Sequence, residues 1–357
     1  MKPRLHYFDM LKGIAIFMVV MGHVIAMCVR EIDRAPLFKF IGAVHMPLFF
    51  FISGWMSYRS DGRGVGIVKR AAQLIVPMVF MSTLWLWYFP HSGLQSPLNS
   101  TFDGLWHDSW KNGYWFTLVL FEIIAVYAAI KPLLSRAKSI VTEIGIFAIT
   151  WGILFLIWFC VKDSTVIGIL SLDLMVGFFP IFCIGAIAHK YKDCFERATQ
   201  SSPVFTAAIV ACGVTLYLES WPWEFAWLEE WMRFFIRIIL HISLAIIGIA
   251  VVKPWSINAF GEDAPQDGRP VARMWTYIGK ESLAIYLLHY FFLFPLWVTR
   301  DALTACGLAF VPLLVFSAFV AAAIVAVVLC VNRLLQPSSL LSWLMCGRLP
   351  EFIKKIK

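Results

Sequence analysis

The chain has 357 residues, 60% of them hydrophobic and only 15% charged, with a mean hydropathy of +0.77. No soluble core of this length hides that much apolar surface, so the composition excludes a water-soluble globular fold and makes the bilayer the solvent. The net charge of +8 sits mostly in the loops of one side, which reads as a topology signal and excludes nucleic acid as the partner.

Runs of roughly 20 apolar residues predict about ten transmembrane helices in one all-α polytopic bundle, at 8–29, 38–58, 67–89, 113–131, 140–161, 171–189, 203–218, 231–252, 275–298 and 306–332. With the N-terminus inside, 21 of the 30 Lys and Arg residues fall in cytoplasmic segments, so both termini are expected in the cytoplasm of a bacterial inner-membrane protein. Residues 1–335 then form the membrane domain. Residues 336–357 form a basic cytoplasmic tail resting on anionic lipid. The first span is too polar at its start, through Asp9 and Lys12, for a cleavable signal, and no small-residue cleavage site follows it. The eight cysteines show no paired spacing, so neither a disulfide framework nor a metal site is expected.

In the first span, eleven helical steps separate Lys12 from His23, a rotation of about 1100° and a rise of about 16 Å, so Asp9, Lys12 and His23 share one face. The second places His45 in its outer half, before Pro47 and Ser53-Gly54 loosen the backbone; His45 either faces a cavity or caps a carbonyl. A glycine-rich loop, Ser60 to Gly66, leads to Lys69 and Arg70 at the mouth of the third span. This pair suits phosphate and equally serves as a positive-inside anchor. The outer connection from Pro90 to Asn112 shows no strong element. The fourth span opens on Tyr114-Trp115, read as interfacial aromatics, and carries Glu122 near the midplane, where a carboxylate is expensive and functional by default. An acidic, aromatic outer turn (Glu219, Trp221, Trp223, Glu224) precedes the eighth span. There Arg233, Arg237 and His241 recur every four residues as one polar stripe; Arg233 can snorkel to the outer surface, and Arg237 and His241 are expected to face the bundle interior. The loop from Asn258 to Arg273 is the one extended linker, and the ninth span carries Ser282, Tyr286 and His289.

His23, His45, Glu122, His241 and His289 all fall in the outer half of the bilayer, and each costs free energy in hydrocarbon unless it faces its fellows or water. A hydrated cavity open outward accounts for them together. Lys12, Lys69 and Arg70 collect at the cytoplasmic end. Such a layout suits group transfer across the membrane, with a phosphorylated carrier bound inside and His23 removing a proton from a hydroxyl acceptor that arrives from outside.

These residues also carry a resemblance. Asp9 to Ile16 followed by Val19 to His23 resembles the opening helix of the membrane acyltransferase-3 family, whose motif is a basic residue, ten residues, then a histidine: here Lys12 and His23. Phe50-Phe51-Ile52-Ser53-Gly54-Trp55, Lys69-Arg70 to Pro77, Tyr114-Trp115-Phe116 and Ser282 to His289 are similar to its later signatures in order. The His-Met-Pro-Leu-Phe-Phe-Phe form of helix two is most similar to the fucose 4-O-acetylase-like branch. The family often has Arg-x-x-Arg at the third helix, where this chain has Arg70 and then Gln73. The resemblance implies an O-acetyltransferase using cytoplasmic acetyl-CoA as donor and a carbohydrate hydroxyl as acceptor. His23 would be the general base; Lys12, Lys69 and Arg70 the coenzyme A contacts; Glu122, His45 and His289 the groups shaping the catalytic cavity; and Arg237, His241, Tyr114 and Trp115 the acceptor contacts. A transporter or flippase for sugars or lipid-linked glycans is the rival reading, although no inverted repeat is visible. An inactive coenzyme A sensor on the same scaffold is a third.

Overall fold

The computed structural model describes residues 6–28, 35–58, 66–92, 102–219, 226–260, 269–293 and 310–354. All regular structure among them is helical. In chain order the helices are α1 (His6–Cys28), α2 (Pro36–Ser57), α3 (Ile67–Ser92), α4 (Phe102–His107), a 3-10 turn (Lys111–Gly113), α5 (Trp115–Arg136), α6 (Ile140–Val161), α7 (Val166–Leu170), α8 (Leu172–Lys190), α9 (Lys192–Gln200), α10 (Ser202–Glu219), α11 (Ala226–Phe260), α12 (Pro270–Lys280), α13 (Ser282–Leu288), a second 3-10 turn (His289–Phe292), α14 (Phe310–Leu335), α15 (Ser339–Cys346) and α16 (Glu351–Lys354). A backbone in hydrocarbon must bond to itself, which is why the long apolar runs appear as unbroken helices. Lys2 and Arg4, most of the Ser60 to Gly66 loop, the Trp221 to Glu224 turn, the middle of the Asn258 to Arg273 linker, and Lys355 and Lys357 lie outside the described residues.

Eight of the described helices are long and apolar enough to cross a membrane, and the count reaches nine when the pair α9 and α10, bent by 77° at its junction, is taken as one span. The protein is an all-helical, multi-pass membrane protein. Three expectations change in detail. The outer connection after α3 contains α4 and a 3-10 turn. The eighth span runs for 35 residues, Ala226 to Phe260. The ninth breaks at Glu281, whose N–H turns back to the Tyr277 and Ile278 carbonyls, and its continuation tightens into the 3-10 turn at His289.

The chain forms two compact units. The first draws on Met1–Gly22, Pro36–Tyr58 and Ile181–Ser282. Its helices meet at glycines. Gly13 lies against the Trp275 carbonyl and Gly279 against that of Asp9, so α1 and α12 cross with no side chain between them; Gly54 and Gly185 do the same for α2 and α8. Trp55 stacks on His189 at 4.9 Å and 12°, and the His189 Nδ1 bonds the Trp55 carbonyl at 2.5 Å. Lys253 pairs with Glu196 at 3.4 Å.

The second unit draws on His23–Ala35, Arg59–Pro180 and Leu283–Lys357. Here α3 packs on α5, α14 on the 3-10 turn at His289, and α15 on α3. The Trp151 indole donates to the Val176 carbonyl at 3.1 Å, tying α6 to α8. Residues 336–354, read from sequence as part of a basic tail, carry two short helices, the first capped by Ser338 accepting from the Leu341 N–H.

Candidate active site

The site in the second unit is built from a turn that the backbone adopts only under constraint. Lys111, Asn112 and Gly113 follow one another in the left-handed region, with φ of 48°, 51° and 96°. Asn tolerates that region and Gly adopts it freely, but Lys does so at a cost that its surroundings must offset. Those surroundings are visible. The Lys111 side chain is buried, and its ammonium donates to the carbonyls of Trp106, at 3.0 Å, and Gly168. Burial pushes the Lys111 pKa down, against the pull of Glu122, Asp108 and Asp173. The Ser171 hydroxyl donates to the Ser109 carbonyl at 2.8 Å and holds the segment from the other side.

The constrained turn aims the Gly113 carbonyl at two tyrosines. Tyr286 accepts from the Phe116 N–H at 3.2 Å and donates to the Gly113 oxygen at 2.8 Å. The Tyr290 hydroxyl lies 3.1 Å from the same oxygen and 3.0 Å from Nε2 of His23. A Cβ on residue 113 would occupy the Tyr290 hydroxyl position, so only glycine permits this arrangement. His289 stands alongside, its ring 5.2 Å from that of His23 and 4.2 Å from that of Tyr290. Its Nδ1 bonds the Ile285 and Tyr286 carbonyls at 3.0 and 2.8 Å; a carbonyl only accepts, so that nitrogen carries the proton. Its buried Nε2 has no partner among the described residues. His23, half-buried on α1, is thus held by a hydroxyl that is itself anchored on a backbone carbonyl.

Glu122 belongs to the same unit, and neither of its buried carboxylate oxygens accepts a hydrogen bond among the described residues. An ionised carboxylate left this way is costly, which marks Glu122 as a group retained for something other than stability. Tyr114 has no exposed surface and donates to the Leu287 carbonyl at 3.1 Å. Trp115 is buried too, stacked on Phe178 at 5.5 Å. Both aromatics, read as interfacial, pack inside.

The remaining predicted residues belong to the first unit. Lys12 pairs with Asp9 at 2.8 Å, and Asp9 is 3% exposed. The His45 Nδ1 bonds the Ile41 carbonyl one turn back, the capping alternative of the sequence reading. The inward expectation on α11 is corrected for Arg237. Arg237 is exposed and Arg233 and His241 are half-buried, because Ile236 and Leu240 fill the packed positions and one residue along a helix turns the side chain by about 100°.

Residues 5–331 match the family described as Acyltransferase domain. The chain belongs to the acyltransferase-3 family. Among curated relatives, two proteins named Nodulation protein NolL are similar to it. That of Sinorhizobium fredii is 32% identical over 229 residues, covering 57% of this chain and 55% of the relative; that of Mesorhizobium japonicum is 33% identical over 150 residues, covering 37% and 39%. The chain thus spans about two fifths to about half of the curated relatives it matches. No solved structure matches it.

Within this acyltransferase-3 chain the cationic pair at the third span is also placed. The Lys69 ammonium donates to the Lys354 carbonyl at 2.7 Å, and Arg70 donates through Nη1 to the Gln73 Oε1 at 3.2 Å. Gln73, which stands where the family often has a second arginine, therefore braces the first. Sequence reading missed Tyr290 and Gly113. The available signal was the Tyr286 and Tyr290 pair, four residues apart and so on one helical face, together with Asn112-Gly113 as a left-handed turn.

Proposed function

We propose that the protein is a membrane O-acetyltransferase that moves an acetyl group from cytoplasmic acetyl-CoA to a hydroxyl of a surface or exported carbohydrate in a bacterial inner membrane. The observation that supports it is the chain from the Gly113 carbonyl through the Tyr290 hydroxyl to His23 Nε2, in a chain of the acyltransferase-3 family. Such a chain holds an imidazole in one orientation, which a general base requires.

In the reaction, His23 takes the proton of the acceptor hydroxyl as its oxygen attacks the thioester carbonyl carbon. The tetrahedral intermediate collapses with loss of the C–S bond, and the departing thiolate takes the proton back from the imidazolium. The products are an acetyl ester and free coenzyme A. Lys69 and Arg70 are suited to the donor's phosphates, and Lys12, paired with Asp9, stands on the same helix as the base. Glu122 and His289 supply polar groups for the acceptor's other hydroxyls.

The test is transfer of labelled acetyl from acetyl-CoA to a panel of glycans by the purified protein. His23→Ala should lose about 10²- to 10⁴-fold in rate, the usual share of a general base. Wild-type transfer by that variant would remove His23 from the role.

A further inference from the structure

The two helices that follow α14 are held against the cationic mouth of α3 by specific contacts. The Trp343 indole N–H donates to the Ala72 carbonyl at 2.7 Å. Gly347 ends α15 in the left-handed region, at φ 69°, where an added Cβ would come within 2.9 Å of the Gln73 carbonyl. Cys346 and Ile353 are buried. This seating brings the Lys354 carbonyl to the Lys69 ammonium. Lys354 contributes that carbonyl rather than a charge, since its own ammonium pairs with Glu351 at 2.6 Å.

We propose that the segment from Ser338 to Lys354 is a clasp that positions Lys69 and Arg70 for the phosphates of the acyl-CoA, an inference that rests on the donor reading above. A lysine in water wanders over many rotamers. One ammonium N–H committed to a fixed carbonyl directs the four-carbon stem and leaves two donors for an oxyanion. The same seating packs Gly347 on the backbone of Gln73, the residue whose side chain braces Arg70. Both cations are thus set before the donor arrives, which lowers the ordering cost of binding it. The clasp residues are positioning residues and touch no reacting atom.

The experiment measures equilibrium binding of labelled CoA and of acetylpantetheine, which lacks the nucleotide phosphates, to the full chain, to a chain ending at Pro350, to Trp343→Phe and to Lys69→Ala. Truncation and Lys69→Ala should each weaken CoA binding about tenfold, the scale of one hydrogen bond to a charged group, and together no further than either alone. Acetylpantetheine affinity should stay unchanged in both. Trp343→Phe, which keeps an aromatic side chain but loses the N–H donor together with part of the indole, should weaken CoA binding about threefold and serves if the truncated chain fails to insert. If Lys69→Ala weakens CoA binding and neither clasp variant does, the clasp is overturned while the donor reading stands. If Lys69→Ala changes nothing, the donor reading at this mouth fails and the clasp with it. Equal loss of CoA and acetylpantetheine in the clasp variants reduces the segment to general structural support and overturns the proposal.

Discussion

Tyr290 offers the cleanest separation of chemistry from folding at this site. Its ring packs against Trp85, Tyr114, His23 and His289, while its hydroxyl makes the hydrogen bonds to His23 and Gly113. Tyr290→Phe keeps the packing, so we expect normal insertion and a transfer rate reduced about tenfold or more, the size of a hydrogen bond that orients a titrating group. An unchanged rate would show that His23 is oriented by other contacts. Glu122→Gln addresses the opposite case, a group the fold would be better without. Removing a buried carboxylate that accepts no hydrogen bond among the described residues should leave the melting temperature in detergent equal or higher while transfer falls. A lower melting temperature would assign Glu122 to the scaffold. At this scale the sequence was legible where burial and charge conflict: His23, Glu122 and His289 stand out because polar groups in hydrocarbon need a reason. Tyr290 did not stand out, because a tyrosine beside Phe291 and Phe292 looks like ordinary packing until the helix tightens into a 3-10 turn and redirects it.

Elements in the first unit meet at glycines, and that makes their crossing points sharp. A Cβ at Gly279 would run into the backbone carbonyl of Asp9, and backbone has nowhere to go. Gly279→Val should therefore force α1 and α12 apart and lower the folded yield in detergent, read by size-exclusion chromatography. Gly248→Val, where an added Cβ meets only the Leu11 side chain at 3.5 Å, should be tolerated. Helix positions were legible from hydropathy, α6 to the residue, because its surroundings are lipid and nothing competes with the apolar period. The face of α11 was misread at Arg237. Four-residue spacing of Arg233, Arg237 and His241 shows that these residues share a stripe, not which way the stripe turns, and the packing of Ile236 and Leu240 settled that. The two helices after α14 were hidden for a related reason: four basic residues drew the eye from Leu340, Leu341, Trp343 and Ile353.

For the molecule as a whole, the asymmetry of Lys and Arg makes a prediction that helix geometry alone does not. Both ends of the chain should face the cytoplasm, so a fluorescent protein fused after Lys357 should fold and fluoresce, and an alkaline phosphatase fused there should be inactive. Active phosphatase would invert the topology and put Lys69 and Arg70 on the wrong side for a cytoplasmic donor. The anchor of the base carries one more consequence. What fixes Tyr290, and through it His23, is a main-chain oxygen, and an atom that no codon specifies is invisible to any scan that exchanges side chains. Alanine scanning of this chain would rank the tyrosines and the histidine, and at Gly113 would report the clash of the added Cβ rather than the acceptor they share. Backbone amide-to-ester exchange at the bond between Gly113 and Tyr114, which weakens the Gly113 oxygen as an acceptor while leaving every side chain in place, would expose it.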